Sequence, residues 1–235
     1  VKRAVVDGKI RSGTSLVEAT SGNTGISLAA CGALLGLKTT IVMPCNMSEE
    51  RKDLMRFYGA EIVESGPSDF LGAIEIRNEM VKKARGEERS VWSPMQFENP
   101  VNVRVHEEET GPEISDQMYA LRKKSCWDFV SGAGTGGTIM GIANFMEKTH
   151  RSGRVVRVVP EEGDGRHGIQ GINDGGDFLL SESSKLQRLH VSTRESIEAA
   201  KEFSRTHGLM VGISSGANLV AARRHVRETG NVVVT

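Results

Sequence analysis

Short β-branched runs alternate with longer helical patterns along most of this chain, and that rhythm limits the possible folds more than any other feature. SLVEA (Ser15 to Ala19) precedes a helical pattern from Asn23 to about Leu35. TTIVMP (Thr39 to Pro44) precedes another from Ser48 to Tyr58, with Ser48 as helix cap and Gly59 as the stop before AEIVE (Ala60 to Glu64). Strands joined through helices run parallel, because a helix carries the chain back to the same end of a sheet. A pattern from Phe70 to about Ala84 places Ala73, Ile74, Ile76, Met80 and Val81 on one side, and RSVWSP (Arg89 to Pro94) reads as the next strand.

The rhythm breaks from Gln96 to Ile114, where Pro100, Pro112 and several amide side chains suggest a crossing between two halves. It restarts with a helix from Glu113 to Leu121, strand WDFV (Trp127 to Val130), the glycine-rich SGAGTGGTIMG, a helix from Thr138 to Lys148 and strand VVRVVP (Val155 to Pro160). Glu161 to Gly176 is too polar for core and reads as a functional loop. LQRLHVS, a helix from about Arg194 to Thr206, the loop GLMVGISSGAN and a helix beginning near Ala217 follow. The expected fold is α/β, with two domains at 1–98 and 99–235, each built on a mainly parallel sheet. No internal repeat is visible in the sequence.

With 30 basic and 30 acidic side chains the formal net charge is +0, so nothing electrostatic favours nucleic acid or an anionic membrane as partner. A small molecule is the expected ligand. Cys31, Cys45 and Cys126 are odd in number and lie outside any C-x-x-C pattern, so no disulfide framework or metal site is expected and they read as small buried apolar residues. The unpaired cysteines fit a reducing cytoplasm; no run approaches the roughly 20 apolar residues of a membrane span, and VKRAVVDGKIRSG lacks the apolar core of a signal peptide. The start without Met and the ending on NVVVT suggest a chain that continues at both ends.

The glycine loop between WDFV and its helix puts backbone N–H groups at a helix N-terminus, a geometry that binds phosphate. Gly132, Gly134 and Gly137 match the G-x-G-x-x-G of a dinucleotide site, with Glu161 or Glu162 as the acid for a ribose. The alternative is one terminal phosphate, for which Thr135 and Thr138 add hydroxyl donors. TSGNTG (Thr20 to Gly25), also between strand and helix, favours the second: its donors suit a carboxylate, and Asn23 can donate to a phenolate-like oxygen.

EATSGNTGISLA, MPCNMSEERKDLMRFYGAEIV, QFENP, TGPEI, GAGTGGT and VGISSGAN, in this order, resemble the cysteine synthase (O-acetylserine sulfhydrylase) family of fold-type II pyridoxal phosphate enzymes. The resemblance implies a cofactor in the cleft between the two domains, with Gly134, Thr135, Gly136, Gly137 and Thr138 cupping its phosphate, Asn23 on the ring's 3′ oxygen and Ser214 facing the pyridine nitrogen. It implies that Thr20, Ser21, Thr24 and Gln96 hold the substrate α-carboxylate, with Gly171 beside the amine. The reaction implied is β-replacement on an activated serine by sulfide. Cystathionine β-synthases and serine or threonine dehydratases share the loops; a nicotinamide oxidoreductase leaves TSGNTG and GISSGAN unexplained, and a lysine-lacking regulatory relative is a third class. A homodimer and a complex with serine acetyltransferase are the partners that the resemblance implies.

The chain departs from the family pattern in several places. The Schiff-base lysine is expected upstream of Val1, since Lys2 is too close to Asn23 and reads as a solvated helix residue. Glu109 stands where many relatives place Thr, and HGIQGINDGGDFLL carries extra Gly and Asp. Arg166 and His167 read either as partners of an anionic substrate or as solvent-facing loop residues.

Overall fold

The computed structural model describes residues 1–122, 126–163, 166–172, 176–180 and 186–235. The chain divides into two compact units, Val1–Gln96 and Phe97–Thr235. In the first, helix α1 (Lys2–Val6) is followed by β1 (Ser15–Ala19), α2 (Asn23–Leu35), β2 (Thr39–Pro44), α3 (Glu49–Phe57), β3 (Glu61–Ser65), α4 (Phe70–Gly86) and β4 (Val91–Trp92). The strands form one parallel sheet in the order β3-β2-β1-β4. Every residue of β2 is buried, as a central parallel strand covered on both faces requires. Leu16, Leu28, Ile41, Met43 and Met55 pack the core.

In the second unit α5 (Val101–Val105) runs through a π-helical turn (His106–Thr110) into α6 (Gly111–Arg122). Then come β5 (Asp128–Gly132), α7 (Gly137–Lys148), β6 (Val155–Pro160), β7 (Gln187–Val191), α8 (Thr193–His207), α9 (Ile213–Thr229) and β8 (Val233–Val234). This sheet is also parallel, in the order β7-β6-β5-β8. Val130, Val156, Val158 and Ala217 pack one face; Trp127, Phe129, Ile142 and Phe145 form a separate core cluster. Both sheets thus run third, second, first, fourth strand of their unit, a repeat of topology with no counterpart in the sequence.

Several expectations need correction. The segment from Gln96 to Ile114 does contain the division between the units, but most of it is regular: it is helical from Val101, because Asn99 Oδ1 accepts the Val101 N–H (3.0 Å) and Pro100 precedes the first turn. Gly141 lets α7 approach this helix, since a Cβ there would lie 2.5 Å from the Val103 carbonyl oxygen. GISSGAN is likewise no loop. α9 begins at Ile213, and Gly216 permits its contact with α8, where a Cβ would meet the Ser196 carbonyl oxygen at 1.9 Å.

β4 is shorter than RSVWSP because Pro94 has no N–H to give a ladder and Met95 turns to a φ of 54°. On α4, Ile74, Ile76, Met80 and Val81 are only half-buried, while Arg77 is fully buried. Ser48 caps α3 by position, but its side chain makes no cap bond. The cysteines are free; Cys45 and Cys126 are exposed and Cys31 is half-buried, so the reading of them as buried core residues fails. Among the described residues no helix is long and apolar enough to cross a membrane, and no cluster of His, Cys, Asp and Glu suits a metal.

Candidate active site

In each sheet the first strand lies between the second and the fourth, so the connections leave it in opposite directions. At such a switch point the strand ends splay and leave a crevice at their carboxyl ends, where ligands bind in open α/β sheets.

In the first unit, Thr20 to Gly22 follow β1. Thr20 is buried; its N–H bonds to Val42 O (2.9 Å), and its Oγ1 accepts the Gly22 N–H (3.4 Å). Asn23 and Thr24 are exposed on the first turn of α2, which has no side-chain cap and no acid in that turn. Its N-terminal amides therefore face outward with the positive end of the helix dipole. Arg51 Nη1 donates to Ser21 O (3.3 Å), and Gln96 Nε2 donates to Ala19 O (2.8 Å). The five residues expected to hold a substrate carboxylate or ring oxygen, Thr20, Ser21, Asn23, Thr24 and Gln96, thus gather at one end of β1.

Below them lies a pair that sequence reasoning missed. Glu18 and Arg77 are fully buried, with Arg77 Nη1 3.4 Å from Glu18 Oε1. Burial pushes the Glu18 carboxyl above its usual range, although Arg77 and the backbone N–H groups of Ala19, Gln96 and Met95 pull it down. An acid at an inward position of SLVEA was the available signal.

In the second unit, Gly136 caps α7 with a φ of 87°, a conformation that favours glycine. A Cβ on Gly134 would lie 2.9 Å from Gly171 O, one on Gly136 2.9 Å from Leu180 Cγ and one on Gly137 2.2 Å from Asn102 Oδ1. Each glycine therefore makes an approach that a side chain would block. Thr135 Oγ1 accepts from Asn102 Nδ2 (2.9 Å) and from the Gly137 N–H (3.3 Å). Thr138 Oγ1 lies 3.1 Å from His106 Nε2, and His106 Nδ1 lies 3.0 Å from Thr110 Oγ1.

Burial pushes the His106 imidazole below its usual range and so toward the neutral form. We assign its proton to Nε2, with the Thr110 hydroxyl donating to Nδ1. The oxygens of Thr135 and Thr138 then both accept from the α5 side, and both hydroxyl protons are left to donate. No acid lies in the first turn of α7 and no side chain caps it. Amides, two hydroxyl donors and a helix dipole, with no carboxylate among them, fit a phosphate dianion such as that of pyridoxal phosphate.

Gly171 (φ 88°) and the start of α9 meet the same strand end. Asn218 Oδ1 accepts the Gly132 N–H (2.8 Å), and a Cβ on Gly132 would strike Ile172 Cδ1 at 2.2 Å. Ser214 lies half-buried in the uncapped first turn of α9. Asn102, His106 and Asn218 were missed: the first two stand four apart on one helix face, in a segment whose prolines made it look irregular.

Of the two acids that a dinucleotide site could use, Glu162 is otherwise engaged, because its Oε1 accepts the Thr193 N–H (2.6 Å) at the start of α8, while Glu161 is exposed just after the end of β6. Arg166 is exposed, and His167 Nδ1 accepts the Ile169 N–H (3.2 Å). Lys2 and Glu109 are exposed on α1 and on the π turn. Of PEEGDGRHGIQG and HGIQGINDGGDFLL, residues 164–165 and 173–175 lie outside the described residues.

The model of the pyridoxal-phosphate dependent enzymes matches residues 2–235. A cysteine synthase of Staphylococcus aureus is 36% identical over 241 residues, covering 98% of this chain and 74% of its own length. A hydrogen sulfide-producing enzyme from Fusobacterium nucleatum superposes with a TM-score of 0.90 at 36% identity, over 100% of this chain and 72% of that one. An O-acetylserine dependent cystathionine β-synthase from Helicobacter pylori does so at 0.89 and 31%, over 99% and 76%. With its parallel sheets, its bare glycine-rich helix start and these relatives, the chain belongs to the pyridoxal-phosphate dependent enzyme family, in its cysteine synthase-like, fold-type II branch.

Proposed function

We propose that the chain catalyses β-replacement on an activated serine, O-acetyl-L-serine or O-phospho-L-serine, with sulfide, giving L-cysteine and acetate or phosphate. The observation that carries this reading is the presence of two strand-end loops, one with hydroxyl and amide donors after β1 in the first unit and one with glycines and threonines after β5 in the second, in a chain similar to cysteine synthases. When bound, pyridoxal phosphate supplies an electron sink for the pair left by the departing α-proton. Gly134 to Thr138 would hold its phosphate, Asn23 would donate to the ring's 3′ oxygen, and Ser214 would meet the ring nitrogen. A neutral serine there leaves that nitrogen unprotonated and the sink weaker, which suits prompt loss of the β-substituent.

Thr20, Ser21, Thr24 and Gln96 would clamp the α-carboxylate at the start of α2, orienting the substrate and excluding water as the loop closes on it. Gly171 would lie beside the amine, where a side chain would crowd the substrate. A homodimer, a cytoplasmic location and a complex with serine acetyltransferase complete the reading, supported by the family resemblance.

The test is a sulfide-dependent assay of cysteine from O-acetyl-L-serine with the full-length protein, since the activity requires the Schiff-base lysine expected upstream of Val1, and with visible absorbance followed during turnover. A visible band that shifts on addition of O-acetyl-L-serine, with cysteine formed when sulfide follows, is expected; no cysteine from either activated serine would overturn the reading. The similarity to an O-acetylserine dependent cystathionine β-synthase favours one second reading, with homocysteine as nucleophile. Homocysteine consumed faster than sulfide in parallel assays would select it.

A further inference from the structure

The ladder between β1 and β4 contains Ser15↔Val91 and Leu16↔Trp92 and stops there. In the same register Glu18 would face Pro94, Ala19 would face Met95 and Thr20 would face Gln96. Pro94 has no N–H to donate, and Met95 leaves the extended region at a φ of 54°, a conformation that costs a residue with a side chain about 1 kcal/mol or more. The strands therefore part where the loop after β1 needs to be held.

Side chains take over the lost pairing. Glu18 Oε1 accepts the Ala19 N–H (2.8 Å), and Glu18 Oε2 accepts the Gln96 N–H (3.2 Å). The Gln96 side chain donates to Ala19 O (2.8 Å), where a ladder would have used a backbone N–H. Arg77 Nη1 reaches both Glu18 Oε1 and Ser93 Oγ, at 3.4 Å each, so one guanidinium ties β1 to the segment after β4. For stability alone, apolar residues of similar volume would serve as well, because desolvation offsets most of the attraction within a buried ion pair. The pair calls for another explanation.

We propose that Glu18, held by Arg77, is a positioning residue for substrate binding: its carboxylate replaces the β1–β4 ladder beyond Pro94 and fixes Gln96 against Ala19 at the end of β1, where the Thr20–Gly22 loop begins. This rests on the reading of Gln96 as a ligand of the substrate carboxylate. Glu18 touches neither substrate nor cofactor and acts through Gln96.

The experiment uses the full-length holoenzyme carrying Glu18→Gln with Arg77→Met, which removes the charge that Glu18→Gln alone would strand. Glu18→Asp, which keeps the charge but shortens the reach, stands in if that protein fails to fold. The expected result is a rise of about fivefold or more in KM for O-acetyl-L-serine and in the dissociation constant of L-alanine, which has no β-leaving group to lose. Cofactor affinity should change less than twofold and kcat less than about threefold.

Gln96→Ala should raise the same two quantities, and adding it to the Glu18 variant should cost much less than it costs alone, since both act through one contact. A rise below fivefold in the Glu18 variant, or full additivity with Gln96→Ala, overturns the positioning role while leaving the reading of Gln96 intact. Gln96→Ala without effect on either quantity overturns that reading, and the positioning role with it.

Discussion

The two units share a strand order, and each buries one carboxylate in its first strand, but at opposite ends. Glu18 is the fourth residue of β1, beside the loop that leads into α2, whereas Asp128 is the first residue of β5, at the end away from the glycine loop. Asp128 is fully satisfied: Oδ1 accepts the Arg154 N–H (2.8 Å), and Oδ2 meets His225 Nε2 (2.6 Å) and Asn231 Nδ2 (3.0 Å). Burial pushes its carboxyl up, but those partners outweigh burial and hold it below the usual range. At Glu18 burial wins. One acid thus locks the approaches to β6 and β8 at the end of β5 away from the glycine loop, and the other carries a less comfortable charge beside the loop proposed to hold the substrate.

Replacing each acid sharpens that contrast, and the largest effect is expected at Asp128. Asp128→Ala leaves a buried imidazole, an amide N–H and the Asn231 side chain without their acceptor, and losing one partner of such a buried network costs about 3–5 kcal/mol. Hydrogen exchange should quicken in β5 and β6 and stay unchanged in β1 and β2, while KM for O-acetyl-L-serine measured on the folded fraction stays the same. A KM shift as large as that of the Glu18 variants would erase the division between a structural acid and a positioning one.

The two loops can be separated in the same way. Gly137→Ala drives a Cβ toward Asn102, and relief of such overpacking costs about 1–3 kcal/mol, here at the expense of the proposed phosphate cradle. Cofactor titration should show affinity weakened about tenfold or more, with the α2 loop unaltered in hydrogen exchange. Asn102→Ala acts more gently. It removes one donor to Thr135 and frees that hydroxyl to rotate, and the loss of about 1 kcal/mol for one hydrogen bond predicts cofactor affinity about fivefold weaker. Equal loss of cofactor affinity in Asn23→Ala and Gly137→Ala would mean that the loops do not divide ring and phosphate between them.

Local physics made much of this legible in the sequence. The bounds of α2, β2 and β6 follow from β-branched runs, Gly36 and apolar spacing, and the loops at β1 and β5 stand out because Gly, Thr and Asn cluster where a strand meets a helix. The illegible parts depend on contacts distant along the chain. Arg77 looks like one more polar residue of α4 until Glu18, 59 positions earlier, lies beside it. Asn102 and His106 acquire meaning only once Gly141 lets α7 close on their helix, and the early start of α9 depends on Gly216 meeting the Ser196 carbonyl. The shared strand order is invisible in sequence because different residues build the same sheet.

Acid titration is expected to have the smallest effect, and it sets the two carboxylates directly against each other. For Glu18 the folded pKa is raised above the ordinary 4.5, so its contribution to stability is fully present below that value and is lost as pH rises through the folded pKa. For Asp128 the folded pKa is lowered below the ordinary 3.8, so its contribution is present above that value and is lost as pH falls through the folded pKa. On acidification from neutrality the surroundings of β1 should therefore gain protection first, and those of β5 should lose it only below pH 3.8. Hydrogen exchange read strand by strand against pH checks this, and Glu18→Gln with Arg77→Met should abolish the upper change while leaving the lower one. Loss of protection in both sheets at one common pH would show that neither acid sets the response of its own unit.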